Sequence, residues 1–239
     1  MRKTCIVLAL GLLTAPWISF AGEKERPIQV IEENSVEEVI GNYVKAIGGE
    51  AKMKSVRTIE MKMQAEVQGM NLEIHSVIDQ ENQKLLNVTE MNGNVVSKTV
   101  IQGGAGQVMA MGQSQDLTED QLATFKNQMY GFQELHLEEL GITVTYDGTE
   151  QVEGEEAYKL TFDSGGDTNT TEYYSVATGL KLQTVSKAAG TISYKDYQEV
   201  DGLKMPMKLI ISNAMLPVPL EAKVTSIKLN KDVDDSLFN

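Results

Sequence analysis

The sequence predicts an α+β, mainly β domain, in which a large curved antiparallel sheet of about 11–12 strands has helices covering its concave face. The first observation is alternation: in "VRTIEMKMQAEV", residues 56–67, apolar and polar side chains exchange at every position from Ile59 onward. A period of two is typical of a half-buried β-strand. The second is that hairpin-forming pairs, such as Asn92-Gly93 and Glu153-Gly154, recur between such segments. The third is that helical periodicity is confined to two segments.

The first 21 residues have the pattern of a secretory signal peptide. Arg2 and Lys3 precede an apolar stretch at 5–13, and Ser19-Phe20-Ala21 forms a small-x-small cleavage site. The apolar stretch is shorter than the ~20 residues that a membrane span needs, which makes a membrane anchor the weaker alternative. We therefore expect export to the periplasm, with cleavage after Ala21.

A polar leader over 22–34 is predicted to precede a single domain over 35–239, which begins with a helix in "NSVEEVIGNYVKAIGGEAKMKSV". Ser35 and Glu38 are predicted to form a capping box, and Gly48-Gly49 ends the helix. Its apolar residues share one face at helical spacing: Val36, Val39, Ile40, Tyr43, Val44 and Ile47. A further helical turn is expected through Ala51–Lys54.

Alternating segments bounded by turn residues account for most of the remaining chain. The hairpin-type pairs are Asn92-Gly93, Asp147-Gly148, Glu153-Gly154, Thr178-Gly179 and Asp201-Gly202. These divisions predict strands near 56–67, 70–79, 83–91, 94–101, 106–111, 142–150, 155–163, 170–176, 180–187, 190–200, 203–211 and 221–229.

One segment, "DLTEDQLATFKNQMYGFQELHLEELG", interrupts the strands and is helical at its start. Thr118 and Gln121 are predicted to cap this helix, and Leu122, Phe125 and Met129 lie on one face of it. An apolar stripe of this kind packs against a sheet, so the segment is expected to cover part of the concave face.

Charge and cysteine content exclude several classes of protein. The chain has 34 acidic and 21 basic residues, a formal net charge of −13, and loss of Arg2 and Lys3 with the signal makes it two units more negative. Binding to nucleic acid or to an anionic membrane is therefore disfavoured, and no stable membrane insertion is expected. The single cysteine, Cys5, begins the apolar stretch of the signal, so we expect neither lipidation of this chain nor a disulfide in the mature protein.

The sequence contains no motif for catalysis or metal binding. The two histidines, His75 and His136, have no neighbours at ligand spacing, and no Gly-x-Ser-x-Gly is present. His75 alternates to the polar face of its strand, where a surface role is expected. We therefore expect no enzyme activity, no metal and no cofactor. An unrecognised hydrolase would need acidic residues that converge in a cleft with strongly shifted pKa values.

Three stretches together resemble the LolA-like lipoprotein-carrier superfamily, particularly versions attached to or encoded beside insulinase-like zinc peptidases in Bacteroidetes-type bacteria. They are "YVKAIGGEAKMKSVRTIEMK", "LHLEELGITVTYDGTEQVEGEEAYKLTF" and "TEYYSVATGLKLQTVSKAAGTISYKDYQEVDGLKMPMKL". The tail "SIKLNKDVDDSLF" is also similar to the ending of that group, so the resemblance covers about residues 35–238. It implies an incomplete antiparallel barrel around a hydrophobic cavity, with helices as the lid, that takes up lipoprotein acyl chains.

The resemblance also offers a reason for the methionines on alternating strands. Flexible, polarizable side chains suit a cavity that adapts to variable alkyl chains, whereas the simpler alternative is that they fill an ordinary core. Methionines two residues apart on one strand share a face. The cavity lining predicted in this way is Ile59, Met61, Met63, Leu72, Ile74, Met109, Met111, Leu122, Phe125, Met129, Met205 and Met207.

Two functions follow as hypotheses. The first is a periplasmic carrier or binding protein for the acyl chains of lipoproteins or other lipids. The second is a non-enzymatic interaction module with a filled core, which would act as an accessory to another cell-envelope protein or peptidase. The first requires an apolar space that admits a guest, whereas the second predicts an interior packed with the protein's own side chains.

Overall fold

The computed structural model describes residues 34–165, 168–187, 189–214, 216 and 218–238, and in these ranges every side chain but those of residues 34 and 35. The predicted signal peptide and the predicted leader up to residue 33 lie outside the described residues. So does the side chain of Ser35, and the capping box with Glu38 stays a prediction.

The described residues form one open, curved antiparallel sheet of 13 strands, which confirms the predicted fold class. Consecutive strands are neighbours in the sheet, except that β6 and β7 lie at its two opposite edges and β1 pairs with β13. The order is therefore β6-β5-β4-β3-β2-β1-β13-β12-β11-β10-β9-β8-β7. The strands are β1 Thr58–Val67, β2 Met70–Asp79, β3 Lys84–Met91, β4 Asn94–Gln102, β5 Ala105–Ala110, β6 Gln113–Asp116, β7 Thr143–Val152, β8 Glu155–Asp163, β9 Thr170–Ser175, β10 Lys181–Ser186, β11 Gly190–Val200, β12 Leu203–Ser212 and β13 Leu220–Leu229.

Two details of the strand prediction were wrong. β6 was missed, because its residues, Gln-Ser-Gln-Asp, are all polar and exposed and carry no apolar alternation. Asp147-Gly148 does not end a strand but lies inside β7, where the pairing with β8 shifts register between Tyr146 and Thr149. Gly148 has φ 95°, so the pair forms a bulge within the strand and not a hairpin turn.

The remaining predicted turn pairs lie between strands, and a turn at Met111-Gly112 was missed. Asn92 and Gly93 have φ of 50° and 79°, the left-handed values that a two-residue hairpin turn requires. Met111 and Gly112 have nearly the same values, 50° and 80°, and connect β5 to β6. Met111 is therefore a turn residue and not the last residue of a strand.

Four α-helices and three short 3-10 helices accompany the sheet in the described ranges. The helices are α1 Asn34–Ile47, α2 Glu50–Lys54, α3 Glu119–Phe125 and α4 Leu137–Leu140, and the 3-10 helices are Lys126–Met129, Gln133–Leu135 and Asp235–Phe238. The predicted cap of α3 is confirmed: Thr118 Oγ1 accepts from the Gln121 backbone N–H, and the Gln121 side chain accepts from the backbone N–H of Thr118.

The main core lies between α1 and one face of the sheet, here called the inner face. Val39, Tyr43 and Ile47, from the predicted stripe of α1, pack in one cluster with Leu160 and Leu203 of the sheet. Tyr43 contacts the ring of Tyr174 edge-on, with 5.2 Å between ring centroids. The part of the inner face beneath α1 is filled by the protein's own side chains.

The opposite, outer face carries a smaller cluster that the C-terminal residues cover. Val77 and Leu86 are buried there with Phe238, which is 3% exposed. The Lys84 ammonium lies 5.3 Å from the centre of the Phe238 ring, and Lys84 Nζ is 2.7 Å from Asp235 Oδ1. The chain therefore uses both faces of the sheet, one for α1 and one for its last residues.

Candidate ligand-binding site

Most of the predicted lining residues on strands share the inner face. On β1, Ile59, Met61 and Met63 alternate inward, and Met63 pairs directly with Ile74 of β2. Leu72 lies two residues from Ile74 on the same side and is buried. Met61, Met63 and Ile74 are only half-buried, so this part of the inner face is less tightly covered than the core beneath α1.

Met205 and Met207 join the same face through the strand register. Ala65 of β1 and Leu209 of β12 both pair with Ala222 of β13, so these residues point to one side of the sheet. Met205 and Met207 alternate with Leu209 and therefore point to that side too. The pairs Met61/Met63 and Met205/Met207 thus line one surface, on the two strands that flank β13.

Met109 does not belong to this surface. It pairs with Lys98 of β4, which pairs with Val88 of β3, and Val88 pairs with His75 of β2. His75 pairs in turn with Lys62, which alternates with the inward methionines of β1, so Met109 points to the outer face. There it borders an outer groove of about 460 Å³ beside Phe238.

Met111 also lies elsewhere, because its side chain is 94% exposed in the turn between β5 and β6. The physical reason is the turn itself, since its two central residues leave the sheet and project into solvent. The inward residues of β5 are Gly106, Val108 and Ala110, for instance through the pairing of Val108 with Thr99. The predicted lining is thus corrected at both Met109 and Met111.

Leu122, Phe125 and Met129 lie on a stretch called here the covering segment, residues 117–132. It is attached at both ends: the Leu117 N–H donates to the Gly106 carbonyl at 2.8 Å, and the Gly131 N–H donates to Gln80 Oε1 at 2.7 Å. Between these points, neither α3 nor the 3-10 helix Lys126–Met129 has a buried residue. The segment is therefore anchored at its ends and held weakly in the middle.

A cavity of about 240 Å³ lies between the end of the covering segment and the inner face. Its apolar wall consists of Met61, Phe132, Met205, Pro206 and Leu209. Lys204 lies on its solvent-exposed side, and its polar wall consists of Tyr43, Asn127, Tyr130, Gln133, Glu134, Lys181, Tyr194 and Tyr197. Two of the twelve predicted residues, Met61 and Met205, therefore line a cavity that also has charged groups.

The charged groups form a buried cluster at the polar wall. Lys181 Nζ lies 2.6 Å from Glu134 Oε1 and 3.1 Å from Glu172 Oε2. The side chains of the two glutamates are 2% and 1% exposed, and that of Lys181 is 11% exposed. Two carboxylates on one ammonium leave this buried cluster with a net formal charge of −1.

Further hydrogen bonds and aromatic rings complete the cluster. Tyr174 Oη donates to Glu134 Oε1 at 2.9 Å, and Thr170 Oγ1 donates to Glu172 Oε1 at 2.8 Å. The Lys181 ammonium also lies 5.6 Å from the ring centre of Tyr43 and 5.4 Å from that of Tyr174, within cation–π range. Buried charges persist only when they are paired and hydrogen-bonded in this way.

Protonation in the cluster follows from burial and from the charges. Burial alone lowers the pKa of Lys181, but the adjacent Glu134 and Glu172 carboxylates hold that pKa well above its ordinary value. Burial raises the pKa of Tyr43, Tyr174, Tyr194 and Tyr197. Lys181 therefore stays charged at neutral pH, and the four phenols stay protonated.

Sequence reasoning missed this cluster. Its members come from the 3-10 helix Gln133–Leu135, from β9 and from β10, and no local spacing relates them. The one available signal was Glu172, an acidic residue that alternates inward between Thr170 and Tyr174 on a largely buried strand. An inward-pointing charge of this kind predicts a buried partner.

Metal-ligand groups and membrane-spanning helices are considered next, for the described part of the chain. Within it, no three His, Cys, Asp or Glu side chains are placed so that they could hold a metal ion. None of the helices that it contains is both long and apolar enough to cross a membrane. His75 lies on the outer face, where its Nε2 is 3.1 Å from Glu60 Oε1.

No protein-family model matches the sequence, and neither does any curated protein. Solved structures, by contrast, share its architecture. A LolA superfamily protein from Nitrosomonas europaea is 12% identical with a TM-score of 0.53, over 84% of this chain and 96% of that one. A putative outer-membrane lipoprotein-sorting protein domain from Vibrio parahaemolyticus is 11% identical with a TM-score of 0.50, over 85% of this chain and 97% of that one.

A DUF1329 family protein from Desulfovibrio piger is similar to the same degree, with 10% identity and a TM-score of 0.52 over 85% of this chain and 97% of that one. At such identities the likeness concerns the fold, and the predicted association with insulinase-like peptidases stays a prediction. In all three, the shared region is nearly the whole length of the solved chain. The open 13-stranded sheet, its helices and these likenesses together show that this chain has a LolA-like fold.

Proposed function

We propose that this protein binds the acyl chain of a lipid or lipoprotein on the inner face of its sheet, beneath the covering segment, as a non-enzymatic carrier in the periplasm. The observation that carries the proposal is the half-buried methionine surface formed by Met61, Met63 and Met207 with Met205. Of these side chains, Met61 and Met205 line the cavity together with the end of the covering segment. The LolA-like fold is consistent with the proposal.

The space now present is too small for a whole acyl chain. The cavity of about 240 Å³ is below the ~300–1,000 Å³ of sites that enclose a drug-sized ligand. A chain would therefore have to displace the middle of the covering segment. The structure favours that movement, because α3 has no buried residue while both ends of the segment are hydrogen-bonded to the sheet.

Methionine suits this surface better than a branched residue. A face that is covered by the end of the covering segment in one state and by an alkyl chain in another must repack, and unbranched thioethers do so at low cost. Burial of ten methylenes supplies about 8 kcal/mol before the costs of ordering, so micromolar binding is the upper limit of the affinity that ten methylenes provide. That affinity allows a carrier both to take up a chain and to release it.

A second candidate function, an interaction module of an envelope protein, is favoured by the core beneath α1. Val39, Tyr43 and Ile47 fill that part of the inner face, and a guest could enter there only by displacing α1. The two candidates differ in the other half, where the half-buried methionines lie. They therefore predict different results for a ligand titration.

The test is a titration of delipidated protein with an uncharged fluorescent probe that carries a long alkyl chain. Saturable micromolar binding is expected, and Met63→Asp should weaken it at least tenfold, because a carboxylate replaces about 2 kcal/mol of apolar contact. Met109→Asp is the matched control: it makes the same change in a half-buried strand methionine of the outer face, and it should change binding less than twofold. Absence of saturable binding, or an equal loss in both variants, would contradict the proposal and favour the interaction module.

A further inference from the structure

We infer that the cavity beside Glu134 receives a cationic ammonium head, so that the ligand on the inner face is an amphiphile with a positively charged end. This inference rests on the proposed function, because it assigns the polar end of the same ligand. It is carried by the buried charges at the cavity, by the way Lys181 is already occupied, and by the size of the space.

The charge at the polar wall is the first argument. Glu134, Glu172 and Lys181 are all largely buried and sum to −1, and Glu134 itself lines the cavity. Lys204 adds a positive charge on the exposed side, where water and salt screen it far more than they screen the buried cluster. A group that enters the cavity therefore meets a net negative environment at its inner end.

The occupancy of Lys181 is the second argument. Its ammonium is in contact with two carboxylates and lies over two tyrosine rings, so two of its three N–H groups already have carboxylate acceptors within the protein. An anionic head beside Lys181 would also lie beside the Glu134 carboxylate, and displacement of either glutamate would leave that carboxylate buried without its partner. The cavity thus discriminates against carboxylate and phosphate ends.

The remaining wall is suited to a cation. Tyr194 and Tyr197 line the cavity, and their hydroxyls are already engaged: Tyr197 Oη donates to the Lys181 carbonyl at 2.8 Å, and Tyr194 Oη lies 3.0 Å from Thr184 Oγ1. Tyrosine rings attract ammonium groups, as Tyr43 and Tyr174 do with Lys181 in the same cluster. A cation beside Glu134 would neutralise the cluster without displacing any of its members.

The volume sets the size of the group. About 240 Å³ corresponds to the liquid volume of about eight waters, at ~30 Å³ each. An ammonium head with a few methyl or methylene groups fits this space. The alkyl chain would then leave past Met61 and Met205 onto the methionine surface.

The experiment compares three ligands with the same 12-carbon chain: dodecylammonium, dodecanol and dodecanoate. Each competes with the uncharged probe at pH 7.5 and physiological salt, below its micellar concentration. We expect dodecylammonium to bind at least tenfold more tightly than dodecanoate, with dodecanol between them. Equal affinities, or tighter binding of dodecanoate, would overturn the inference while leaving the proposed function intact. If neither the probe nor any of the three binds, the proposed function itself fails.

Two variants separate the cavity from the overall charge of the protein. Glu134→Gln keeps an acceptor for Tyr174 and leaves Lys181 paired with Glu172, so we expect a folded protein whose preference for ammonium falls below threefold. Glu66→Gln removes the same charge from an exposed position of β1 and should leave the preference unchanged. If Glu66→Gln lowers the preference as much as Glu134→Gln, a diffuse attraction explains the result and the inference is wrong. Glu172→Gln provides a second test of the cluster, with the same expected result.

Discussion

Replacement of Lys181 by methionine removes the positive charge that holds two buried carboxylates together. Methionine has a similar length and leaves no large void, so the change acts mainly on charge. Glu134 and Glu172 are 2% and 1% exposed, and both lie within 3.1 Å of Lys181 Nζ. Without Lys181, two carboxylates face each other across a site that water barely reaches.

The expected cost is about 4 kcal/mol in the free energy of unfolding at pH 7. Removal of one partner from a buried ion pair costs about 3–5 kcal/mol. The repulsion alone gives a similar figure, about 3 kcal/mol for two charges ~6 Å apart at an effective dielectric constant of ~20. A loss of this size is a large share of the ~5–15 kcal/mol by which a folded domain is stable.

The assay is equilibrium urea unfolding followed by far-ultraviolet circular dichroism. Lys159→Met is the matched control, since Lys159 also has a glutamate at 3.1 Å and a tyrosine ring at 5.9 Å, but its side chain is 33% exposed. It should lose at most about 1 kcal/mol, as exposed pairs do.

The reasoning would be refuted if Lys181→Met were within 1 kcal/mol of the wild type, or if it lost no more than Lys159→Met. A triple variant that also carries Glu134→Gln and Glu172→Gln provides a further check. It contains no buried charge at this site, so it should regain most of the lost stability. Failure to regain it would indicate that the lysine acts through packing and not through its charge.

Three further predictions follow from the same structure. The pKa of Lys181 is raised in the folded state, so the contribution of Lys181 to the free energy of unfolding is complete below the ordinary lysine value of about 10.4 and is lost as pH rises above that value. The difference in stability between the wild type and Lys181→Met should therefore be constant from pH 8 to 10 and decrease above pH 10. An increase of this difference above pH 10 would contradict the reasoning. A Cβ at Gly106 would lie 2.8 Å from Leu117 Cδ1 and 2.8 Å from Leu122 Cδ2. Gly106→Val should therefore lower the free energy of unfolding by about 1–3 kcal/mol and speed amide hydrogen exchange across α3. Gly41→Ala, whose added methyl group meets open space in α1, should raise the free energy of unfolding by about 0.5–1 kcal/mol. Phe238→Ala should cost about 3 kcal/mol in urea unfolding because the ring is 3% exposed in the outer cluster, and a loss below 0.5 kcal/mol would show that the last residues do not hold that face.

The strands and most turns could be predicted from the sequence because their causes are local. The alternation in β1 and the Asn92-Gly93 turn each depend on a few consecutive residues, and so does the capping box of Thr118 and Gln121. β6 failed the same test, since its four polar residues form a strand only by pairing with β5. A strand that depends on pairing with its neighbour has no pattern in its own residues from which it could be predicted.

The direction of each strand face was decided by tertiary structure. Alternation shows that Met109 and Val108 point to opposite sides, but both are apolar, and only the register from β5 back to β1 shows that Val108 points inward. The sequence predicted that Met111 points inward on the same strand as Met109, but Met111 lies in the turn at 111–112, outside the sheet. A shift of one residue in the register of β5, or in the position of the turn, would change which of these side chains point to the inner face.

Periodicity and turn chemistry act over a few residues, so they were sufficient to predict a mainly β domain with an apolar sheet face and two helical segments to cover it. The contacts of Glu134 and Glu172 with Lys181, at 2.6 and 3.1 Å, and the position of Phe238 on the outer face depend on the folded chain as a whole. These groups come from distant parts of the chain, and the favourable free energy of buried charge pairing and apolar contact arises only when the folded sheet brings them together.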